Sequence, residues 1–429
     1  MKFAFYTLGC KVNQYETQAM EQLLQSLGHE IGSLSEPCDG YVVNTCSVTA
    51  VSDKKCRGVI RRLRRQAPDA VIGVCGCYAQ VAPEVIRALG VNVISGTSDR
   101  SGFVQMLLTA CREKTHLEAV DDALRRREPF EPLPAGSLET RTRAMLKVED
   151  GCSNFCSYCI IPYARGPVRS LPLDQAVSQA VALRDQGYAE LVLTGIEISS
   201  WGQDLDGMRL DALIAALCRA VPEMRIRLGS LEPRTVDEAF CENLRDLPNL
   251  CPQFHLSLQS GSDTVLRRMH RRYDKDRFRK SVDLLRTSFS GCAVTTDLIV
   301  GFPGETEEEF SETLDFMREI GFSQMHIFPY SRRPGTVADR LPDQVDPAVK
   351  DERAAKAAAV AEELSSAYRA AMTGQTHPVL FEQQEGDFYT GHAPNYVKVY
   401  VPGGGSLKGR TCATLITGTH ADGVLGRIL

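Results

Sequence analysis

No stretch of the 429-residue chain is apolar for long enough to span a membrane, which takes about 18 or more consecutive apolar residues. Neither sign of charge dominates, because 49 basic and 54 acidic residues give a net charge of −5. This balance excludes a uniformly basic nucleic-acid coat but allows a local basic patch. The first residues lack the apolar segment and the small-residue cleavage site of a secretory signal, so we expect a cytoplasmic, reducing location without a membrane partner.

Several common catalytic signatures are missing as well. No G-x-G-x-x-G follows the first predicted strand, no Gly-Lys-Ser/Thr ending marks a P-loop, and the eight histidines show no metalloprotease spacing. The sequence therefore gives no support for a dinucleotide-binding Rossmann domain, an NTPase or a zinc peptidase. Cysteine, in contrast, is abundant. Fifteen cysteines cannot all pair as internal disulfides, so the question is which thiols cluster as ligands.

The hydrophobic pattern divides the chain into three folded regions and a linker. Alternating strand and helix signals over residues 1–112 predict a parallel sheet with helices on both faces, and a charged, proline-containing segment over 113–137 indicates a linker. Six further strand–helix repeats over 138–369 resemble an open β/α barrel. Four strand signals with glycine-rich connections over 370–429 predict a small antiparallel β-domain. The expected fold class is therefore α/β with a C-terminal β-domain.

The strongest local signal is a run of three thiols that follows the first predicted barrel strand: Cys152, Cys156 and Cys159. A single loop with x3 and x2 spacing brings three sulfurs to one metal centre. A tetrahedral zinc site needs a fourth protein ligand, and no further cysteine or histidine lies nearby in the sequence. Three thiolates suit a four-iron cluster that keeps one iron open for a substrate.

A second set of three cysteines is spread over the N-terminal region. Cys10, Cys46 and Cys77 each follow a predicted strand. Because the carboxyl ends of parallel strands meet at one edge of a sheet, these thiols are candidates to share one crevice. Three unrelated thiols remain the alternative at this point. Cys75 lies two residues before Cys77 and nearer the strand, and we interpret it as a packing residue.

The run C-x3-C-x2-C, with the aromatic Tyr158 before its last cysteine, resembles the radical S-adenosylmethionine (SAM) superfamily. Both cysteine sets together make the whole chain resemble the tRNA methylthiotransferases. This resemblance implies an N-terminal methylthiotransferase domain, a central radical SAM core and a C-terminal TRAM domain.

The resemblance also implies the cofactors. One [4Fe-4S] cluster would bind SAM at its open iron and cleave it to a radical, and its implied ligands are Cys152, Cys156 and Cys159. A second [4Fe-4S] cluster would carry the sulfur, and its implied ligands are Cys10, Cys46 and Cys77. Two SAM molecules are used in each turnover, one as the methyl donor and one as the radical source.

Two short stretches indicate the branch of the family. Gly9-Cys10-Lys11-Val12-Asn13-Gln14 and the stretch from Ile161 to Arg169 resemble enzymes that convert N6-threonylcarbamoyladenosine (t6A) at position 37 of tRNA into its 2-methylthio form. The implied partners are the tRNA anticodon loop and an electron donor such as flavodoxin or ferredoxin. The same chemistry on isopentenyladenosine, whose branch usually reads GCQMN, or on a ribosomal protein, whose branch reads GCPKN, is an alternative. A non-catalytic RNA-binding metalloprotein is the alternative from another class.

Residues at strand ends are further candidates for binding SAM. Thr194 and Gly195 end one barrel strand, where the superfamily often uses backbone groups to hold the amino group of SAM. Glu197 and Glu232 follow strand ends, where a carboxylate suits a ribose or an amino group. Tyr158 within the cysteine run is the fifth candidate. Each residue is also compatible with an ordinary turn or a solvated surface.

Charged and aromatic residues are candidates for contacts with tRNA. The stretch from Lys54 to Arg65 contains seven basic residues and no acidic partner, which favours phosphate contact over a merely solvated helix face. Phe388, Tyr389 and Tyr396 are suited to stack on unpaired bases or to fill a core. Arg165 and Arg169 follow the cysteine loop, where an arginine fork pairs with a carboxylate or a phosphate unless it lies on the surface.

Overall fold

The computed structural model describes residues 1–136, 142–403 and 406–429. The chain forms a parallel N-terminal sheet, an open barrel of parallel strands and a closed C-terminal β-barrel. This architecture confirms the predicted α/β class with a C-terminal β-domain. The boundary expected between residues 137 and 138 lies outside the described residues. Across the described ranges, no helix is both long and apolar enough to cross a membrane.

The N-terminal sheet has six parallel strands in the order β2-β1-β3-β4-β5-β6. The strands are β1 (Lys2–Thr7), β2 (Glu30–Ile31), β3 (Gly40–Thr45), β4 (Val71–Gly76), β5 (Val93–Ser95) and β6 (Leu117–Ala119). The helices are α1 (Lys11–Ser26), α2 (Ala50–Gln66), α3 (Cys77–Val81), α4 (Pro83–Arg87) and α5 (Arg100–Glu113). Strands β3 and β4 are buried throughout, because helices cover both faces of the sheet. We call this sheet with its helices the N-terminal lobe.

Strand β6 lies in the segment that the sequence assigns to a linker. Its residues Leu117 and Ala119 pair with Val93 and Ser95, so the N-terminal sheet extends to residue 119, beyond the expected boundary at 112. A three-residue strand with two exposed residues is too short to show an alternating pattern. The sequence therefore does not reveal this edge strand.

The central region is an open barrel of parallel strands covered by helices, and we call it the core. Its strands are β7 (Arg143–Lys147), β8 (Glu149–Asp150), β9 (Arg169–Ser170), β10 (Glu190–Thr194), β11 (Arg225–Arg227), β12 (Ser230–Leu231), β13 (Gln253–Leu256), β14 (Ala293–Val300) and β15 (Gln324–Pro329). Its helices are α6 (Ile161–Arg165), α7 (Leu173–Asp185), α8 (Leu210–Ala220), α9 (Glu238–Leu244), α10 (Asp263–Arg268), α11 (Lys275–Ser288), α12 (Glu307–Ile320) and α13 (Pro347–Ala371).

The barrel strands form two hydrogen-bonded sheets, β7-β10-β11 and β12-β13-β14-β15, while β8 and β9 pair with each other beside them. Only Leu228 and Gly229 separate β11 from β12, so these two segments form one interrupted strand. When they are counted as one, the two sheets make a single row of six strands, in agreement with the six predicted repeats. A large apolar cluster of buried residues lies between these strands and the surrounding helices. The open ends of the row leave the carboxyl ends of the strands free to carry a site.

The C-terminal region is a closed barrel in the order β16-β17-β18-β20-β19. Its strands are β16 (Thr376–Glu385), β17 (Phe388–His392), β18 (Lys398–Pro402), β19 (Thr411–His420) and β20 (Gly423–Ile428). The sequence predicted only four strands, and β17 is the one it missed. Gly391 breaks the strand pattern of β17, and the backbone of Leu380 lies so close to Gly391 that a side chain there would clash.

The closed barrel contacts the amino ends of the core strands, at the end opposite the cysteine loop. Buried Glu190 at the start of β10 pairs with Arg225 at 2.7 Å and Arg227 at 2.8 Å. The Tyr396 ring of the closed barrel lies over the guanidinium groups of Arg143, at 5.1 Å, and Arg227, at 4.6 Å. Tyr396 is therefore occupied in this contact rather than presented as a platform for unpaired bases.

Candidate active site

The cysteine loop of the core is held in place by residues outside it. The Ser157 amide donates to the Met269 carbonyl at 3.0 Å, and the Ser157 hydroxyl donates to the Arg268 carbonyl at 2.7 Å. The Ser157 carbonyl in turn accepts from the Ala338 amide at 2.7 Å. Phe155 adopts a left-handed backbone conformation with φ of 49°, which turns the chain between the first two cysteines. These contacts with other segments fix the loop, so its thiols are available to bind a ligand.

The three thiols of this loop, Cys152, Cys156 and Cys159, are called the core triad. Burial and then the neighbouring thiol of Cys156 raise the pKa of Cys159 to about 12. Two donors are aimed at sulfur atoms: Arg271 Nη1 lies 3.1 Å from Cys156 Sγ, and the Ile161 amide lies 3.4 Å from Cys159 Sγ. Hydrogen bonds to sulfur favour thiolate over thiol, so this environment fits thiolates bound to a metal centre.

The N-terminal triad, Cys10, Cys46 and Cys77, lies at the carboxyl ends of three neighbouring strands. Cys10 follows β1 at the start of α1, Cys46 follows β3, and Cys77 follows β4 as the first residue of α3. Burial raises the pKa of Cys46 to about 12, and the thiols of Cys77 and Cys10 also raise it, because both lie near Cys46. The Val48 amide donates to Cys46 Sγ at 3.5 Å.

Two glycines make this convergence possible. Gly9 has φ of +123°, and a Cβ there would lie 3.0 Å from the Cβ of Cys46. Gly76 has φ of +97°, and a Cβ there would meet the carbonyl of Thr45. Only glycine adopts these conformations without strain, so the glycine that precedes Cys10 and the glycine that precedes Cys77 both serve the close approach of the strand ends.

The structure separates Cys75 from Cys77. Cys75 is completely buried inside β4, in the apolar cluster that also contains Phe3 and Phe103. Cys77 lies two residues further along, faces Cys46, and does not belong to that cluster. This placement is consistent with a packing role for Cys75, and the ligand assignment of Cys77 stays a prediction.

The two triads approach each other where the N-terminal lobe meets the core. The Cys77 thiol is among the groups that raise the pKa of Cys159, after burial and Cys156. In the part of the chain that the structure describes, no group of three Cys, His, Asp or Glu side chains is close enough to hold a single metal ion. The thiolates of a four-iron cluster bind three different irons, so they do not need to converge on one point.

The strand-end candidates cluster beside the core triad. The Glu197 carboxylate accepts hydrogen bonds from Asn154 Nδ2 and from the Ser199 amide, both at 3.1 Å. Burial and the nearby Glu232 raise the pKa of Glu197. Glu232 itself accepts from Arg234 Nε at 2.9 Å, so part of its binding capacity is already used. Glu197 is therefore the better placed of the two carboxylates to bind a cationic or hydroxyl-bearing ligand.

Thr194 and Gly195 end β10 next to Glu149, which the sequence analysis did not single out. Glu149 Oε2 accepts from the Glu197 amide at 2.7 Å, and Glu149 Oε1 is buried with no hydrogen-bond partner among the described residues. Burial raises the pKa of Glu149 well above its usual range. A Cβ at Gly195 would lie 2.8 Å from Glu149 Oε2, so glycine is needed for this approach. No local signal marked Glu149, because a glutamate at the end of a strand is ordinary.

Tyr158 packs into an apolar cluster beneath the core triad. Its ring meets Phe302 edge to face at 6.5 Å, and Phe302 meets Tyr330 at 5.3 Å. The ring thus helps to exclude water below the cysteine loop. Arg271, the donor to Cys156, was not singled out from the sequence. Its position between His270 and Arg272 in a run of basic residues looks like a solvated surface.

A cavity of about 880 Å³ opens beside the core triad. Its walls include Cys152 and Phe155 of the cysteine loop, Phe130 of the linker, and Arg169 of β9. This volume is in the range that holds a small-molecule ligand of drug size. It therefore offers a nucleoside-sized ligand a route to the cysteine loop.

The basic helix α2 divides into structural and free residues. Arg64 donates to the backbone carbonyls of Pro68, Ala70 and Gly90 at 2.7 to 3.0 Å and so links two loops of the N-terminal lobe. Arg57 donates to the hydroxyl of Tyr78. The remaining basic residues of the helix are exposed: Lys54, Lys55, Arg61, Arg62 and Arg65. Phosphate contact is thus open to five of the seven predicted residues.

Comparison with known proteins agrees with this geometry. Residues 146–317 match the radical SAM superfamily, and residues 2–96 match an uncharacterized protein family, UPF0004. Among solved structures, the radical SAM methyltransferase TsrM from Kitasatospora setae, with cobalamin and a [4Fe-4S] cluster bound, has a TM-score of 0.58 at 15% identity and covers 79% of this chain and 74% of that chain. At this identity the likeness shows the fold alone.

Curated relatives match over nearly their whole length. Threonylcarbamoyladenosine tRNA methylthiotransferase MtaB of Bacillus subtilis (strain 168) is 41% identical, over 95% of this chain and 92% of that protein. The protein of the same name from Chlamydia pneumoniae is 36% identical, over 100% and 98%. tRNA-2-methylthio-N(6)-dimethylallyladenosine synthase of Thermoanaerobacter sp. (strain X514) is 31% identical, over 99% and 92%. The chain belongs to the tRNA methylthiotransferase family of the radical SAM superfamily.

Proposed function

We propose that this chain is an enzyme that converts t6A at position 37 of tRNA into 2-methylthio-t6A. The observation that carries the proposal is the approach of two cysteine triads across the contact between the N-terminal lobe and the core. The reaction replaces the hydrogen on C2 of the adenine with an S–CH₃ group, so it needs a radical, a sulfur atom and a methyl group. Two SAM molecules per turnover supply the radical and the methyl group.

The residues of both triads fit iron–sulfur clusters. Each triad consists of free thiols, and donors are aimed at the sulfurs of Cys46, Cys156 and Cys159. We assign one [4Fe-4S] cluster to the core triad and a second to the N-terminal triad. When bound, a four-iron cluster with one iron open to SAM supplies the electron that cleaves SAM to a 5′-deoxyadenosyl radical.

The residues around the core triad bind and shield SAM. Glu197, oriented by Asn154, is placed to bind the amino group or the ribose hydroxyls of SAM, with Glu232 beside it. The backbone at Thr194 and Gly195 offers further polar groups at the same strand end. Below the loop, the apolar cluster around Tyr158 keeps water away from the reacting groups, which limits quenching of a radical.

Relatives that are named for t6A are 36% to 41% identical, whereas relatives named for dimethylallyladenosine are 31% identical. This difference and the stretch from Gly9 to Gln14 favour t6A as the substrate. We further propose that the exposed basic residues of α2 bind the phosphates of the anticodon arm and that the closed C-terminal barrel is the TRAM domain. A flavodoxin or ferredoxin as the electron donor and a cytoplasmic location complete the proposal.

Mass spectrometry of tRNA nucleosides tests the function. A host strain without its own t6A methylthiotransferase should form 2-methylthio-t6A when it expresses this chain, and should form none with Cys156→Ala, because two thiolates hold the cluster poorly. Formation of 2-methylthio-isopentenyladenosine instead would assign the other branch. Iron and sulfide analysis after anaerobic reconstitution should give about eight of each per chain. Stoichiometric zinc without iron would refute the enzyme proposal and favour an RNA-binding metalloprotein.

A further inference from the structure

Six charged side chains are buried together where the N-terminal lobe meets the core. Two are carboxylates and four are cations, and none is more than 10% exposed: Glu16, Asp150, Arg100, Lys147, Arg165 and Arg169. Glu16 on α1 and Arg100 on α5 belong to the N-terminal lobe, and the other four residues belong to the core. We call these six residues the interface network. Charges this deep must be paired to be tolerated.

Glu16 is the centre of the interface network. Its Oε2 accepts from Arg100 Nη2 at 2.9 Å, and its Oε1 accepts from Lys147 Nζ at 3.0 Å. Arg165 of the core donates to both oxygens of the same carboxylate. Glu16 therefore binds one cation from the N-terminal lobe and two from the core. The two pairs with core cations link the N-terminal lobe to the core.

Asp150 completes the core side. Lys147 Nζ lies 2.7 Å from Asp150 Oδ2, and Arg165 Nη1 and Arg169 Nη2 each lie 3.4 Å from the same oxygen. Arg169 is at the edge of the network and also lines the cavity beside the cysteine loop, where solvent reaches it. The interface network thus contains four cations against two carboxylates, which is an excess of two positive charges.

Neighbouring acidic groups supply only part of the missing negative charge. Burial raises the pKa of Glu149 well above its usual range, so burial opposes a negative charge on this carboxyl. Glu131 accepts from the backbone amides of Arg100 and Ser101 at the start of α5, and its charge favours the cationic form of Arg100, so one positive charge of the excess has no counter-charge. Arg165 ends α6, which packs on α3, the helix that begins with Cys77, and the Arg165 guanidinium is within hydrogen-bonding reach of the Cys77 sulfur.

We propose that Arg165 is a positioning residue for the N-terminal triad and that a cluster bound there supplies the negative charge that the interface network lacks. Three thiolates outweigh the charge of an oxidised four-iron core, so the bound cluster is an anion of about one net charge. This charge matches the single unpaired cation. The inference rests on the proposed second cluster. Its consequence is that cluster binding at the N-terminal triad stabilises the contact between the N-terminal lobe and the core.

Hydrogen exchange of the full chain, loaded and cluster-free, tests the consequence. Loading should slow amide exchange in α1 and α6 by roughly tenfold or more, because the enclosed positive charge gains its partner. Arg165→Met removes the unpaired charge and leaves three cations against the two carboxylates of the network and Glu131, so the ratio between loaded and cluster-free exchange should fall toward one. Arg165→Lys keeps a positive charge and should keep most of the ratio.

A second measurement separates this role from simple packing. In a full-length background with Cys152, Cys156 and Cys159 changed to Ala, only the N-terminal cluster is present. There Arg165→Met should make its midpoint potential more negative, because a cation beside the cluster favours the added electron.

Arg126→Met is the matched control. Arg126 is equally buried, donates to the Arg165 carbonyl at 3.2 Å and pairs with Asp121 at 2.6 Å. This change should speed exchange to a similar degree in both states and leave the potential unchanged.

The outcomes distinguish this inference from the proposed function. Normal iron at the N-terminal triad with equal exchange in the loaded and cluster-free wild-type chain would overturn the inference alone. An unchanged potential in Arg165→Met would overturn it as well. Absence of iron from the N-terminal triad of the wild-type chain would refute the proposed second cluster and the inference together.

Discussion

Replacing Glu190 with glutamine tests how much a buried carboxylate stabilises the end of the core that contacts the closed C-terminal barrel. The Glu190 carboxylate is fully buried and pairs with Arg143, Arg225 and Arg227 at the amino ends of the core strands. Burial opposes its ionisation, but Arg227, Arg143 and Arg225 outweigh burial and lower the pKa of Glu190 from 4.5 to about 2. The substitution keeps the shape of the side chain and removes a carboxylate that all three arginines share.

The magnitude follows from the pKa. Because the pKa in the folded protein is the lower one, the ionised carboxylate stabilises the fold at pH values above about 4.5, and this stabilisation is lost as the pH falls from about 4.5 to about 2. At about 1.4 kcal/mol per pH unit, the contribution near pH 7 is about 3 kcal/mol. Breaking a buried ion pair by removing one partner typically costs about 3–5 kcal/mol. The lower end of this range applies here, because Arg143 and Arg225 are 16% and 13% exposed and regain some hydration when the carboxylate is removed.

Chemical denaturation of the full chain measures the effect. At pH 7, Glu190→Gln should lower the free energy of unfolding by about 3 kcal/mol, and the variant should lose less further stability than wild type between pH 4.5 and pH 2. Glu382→Gln is the matched control at the same interface. Glu382 also pairs with Arg143 but is 25% exposed, so its loss should stay below about 1 kcal/mol. Equal losses for the two variants would refute the reasoning.

Three further predictions concern the triads and the basic helix. Cys77→Ala should lose about half of the iron and all methylthio product yet still cleave SAM, whereas Cys75→Ala should keep both clusters; iron analysis with the reverse result would make Cys75 the ligand. Arg271→Gln removes the donor at 3.1 Å from Cys156 Sγ and should make the midpoint potential of the core cluster more negative, and an unchanged potential would contradict this role. Arg61→Gln combined with Arg65→Gln should lower the slope of log tRNA affinity against log salt by about 1.5, and an unchanged slope would mean that α2 faces away from tRNA.

The cysteine triads could be predicted from sequence because each depends on local signals. The core triad lies in one loop of eight residues, and each thiol of the N-terminal triad directly follows a recognisable strand. Parallel strands bring their carboxyl ends to one edge, so three separate positions become one crevice without any knowledge of packing. A glycine also precedes Cys10 and another precedes Cys77. Their positive φ values permit the strand ends that carry these cysteines to approach each other closely.

The sequence could not divide the basic residues of α2 by role. Arg64 lies in a basic stretch that only Leu63 interrupts, and its residue type predicts phosphate contact. In the structure, its guanidinium is occupied by backbone carbonyls of Pro68, Ala70 and Gly90. Free carbonyls exist at any helix end or loop, and no sequence pattern shows which side chain will satisfy them. The same limit applies to Arg271, whose partner is a sulfur that lies 115 residues away in the chain.

The interface network shows why contacts between lobes are harder still to predict. Glu16 lies between Tyr15 and Thr17 in a helix with apolar residues both on the face that packs on its own sheet and on a second face. The core then covers the other face of α1, so a residue that reads as solvated becomes fully buried, and its partner Lys147 lies 131 residues away. The sequence predicted that Arg165 or Arg169 would pair with a carboxylate or a phosphate, and in the structure both lie 3.4 Å from Asp150 Oδ2. The unpaired cation cannot be identified from the sequence. It can be identified only in the structure, where the burial of each charged group and all its neighbours are known.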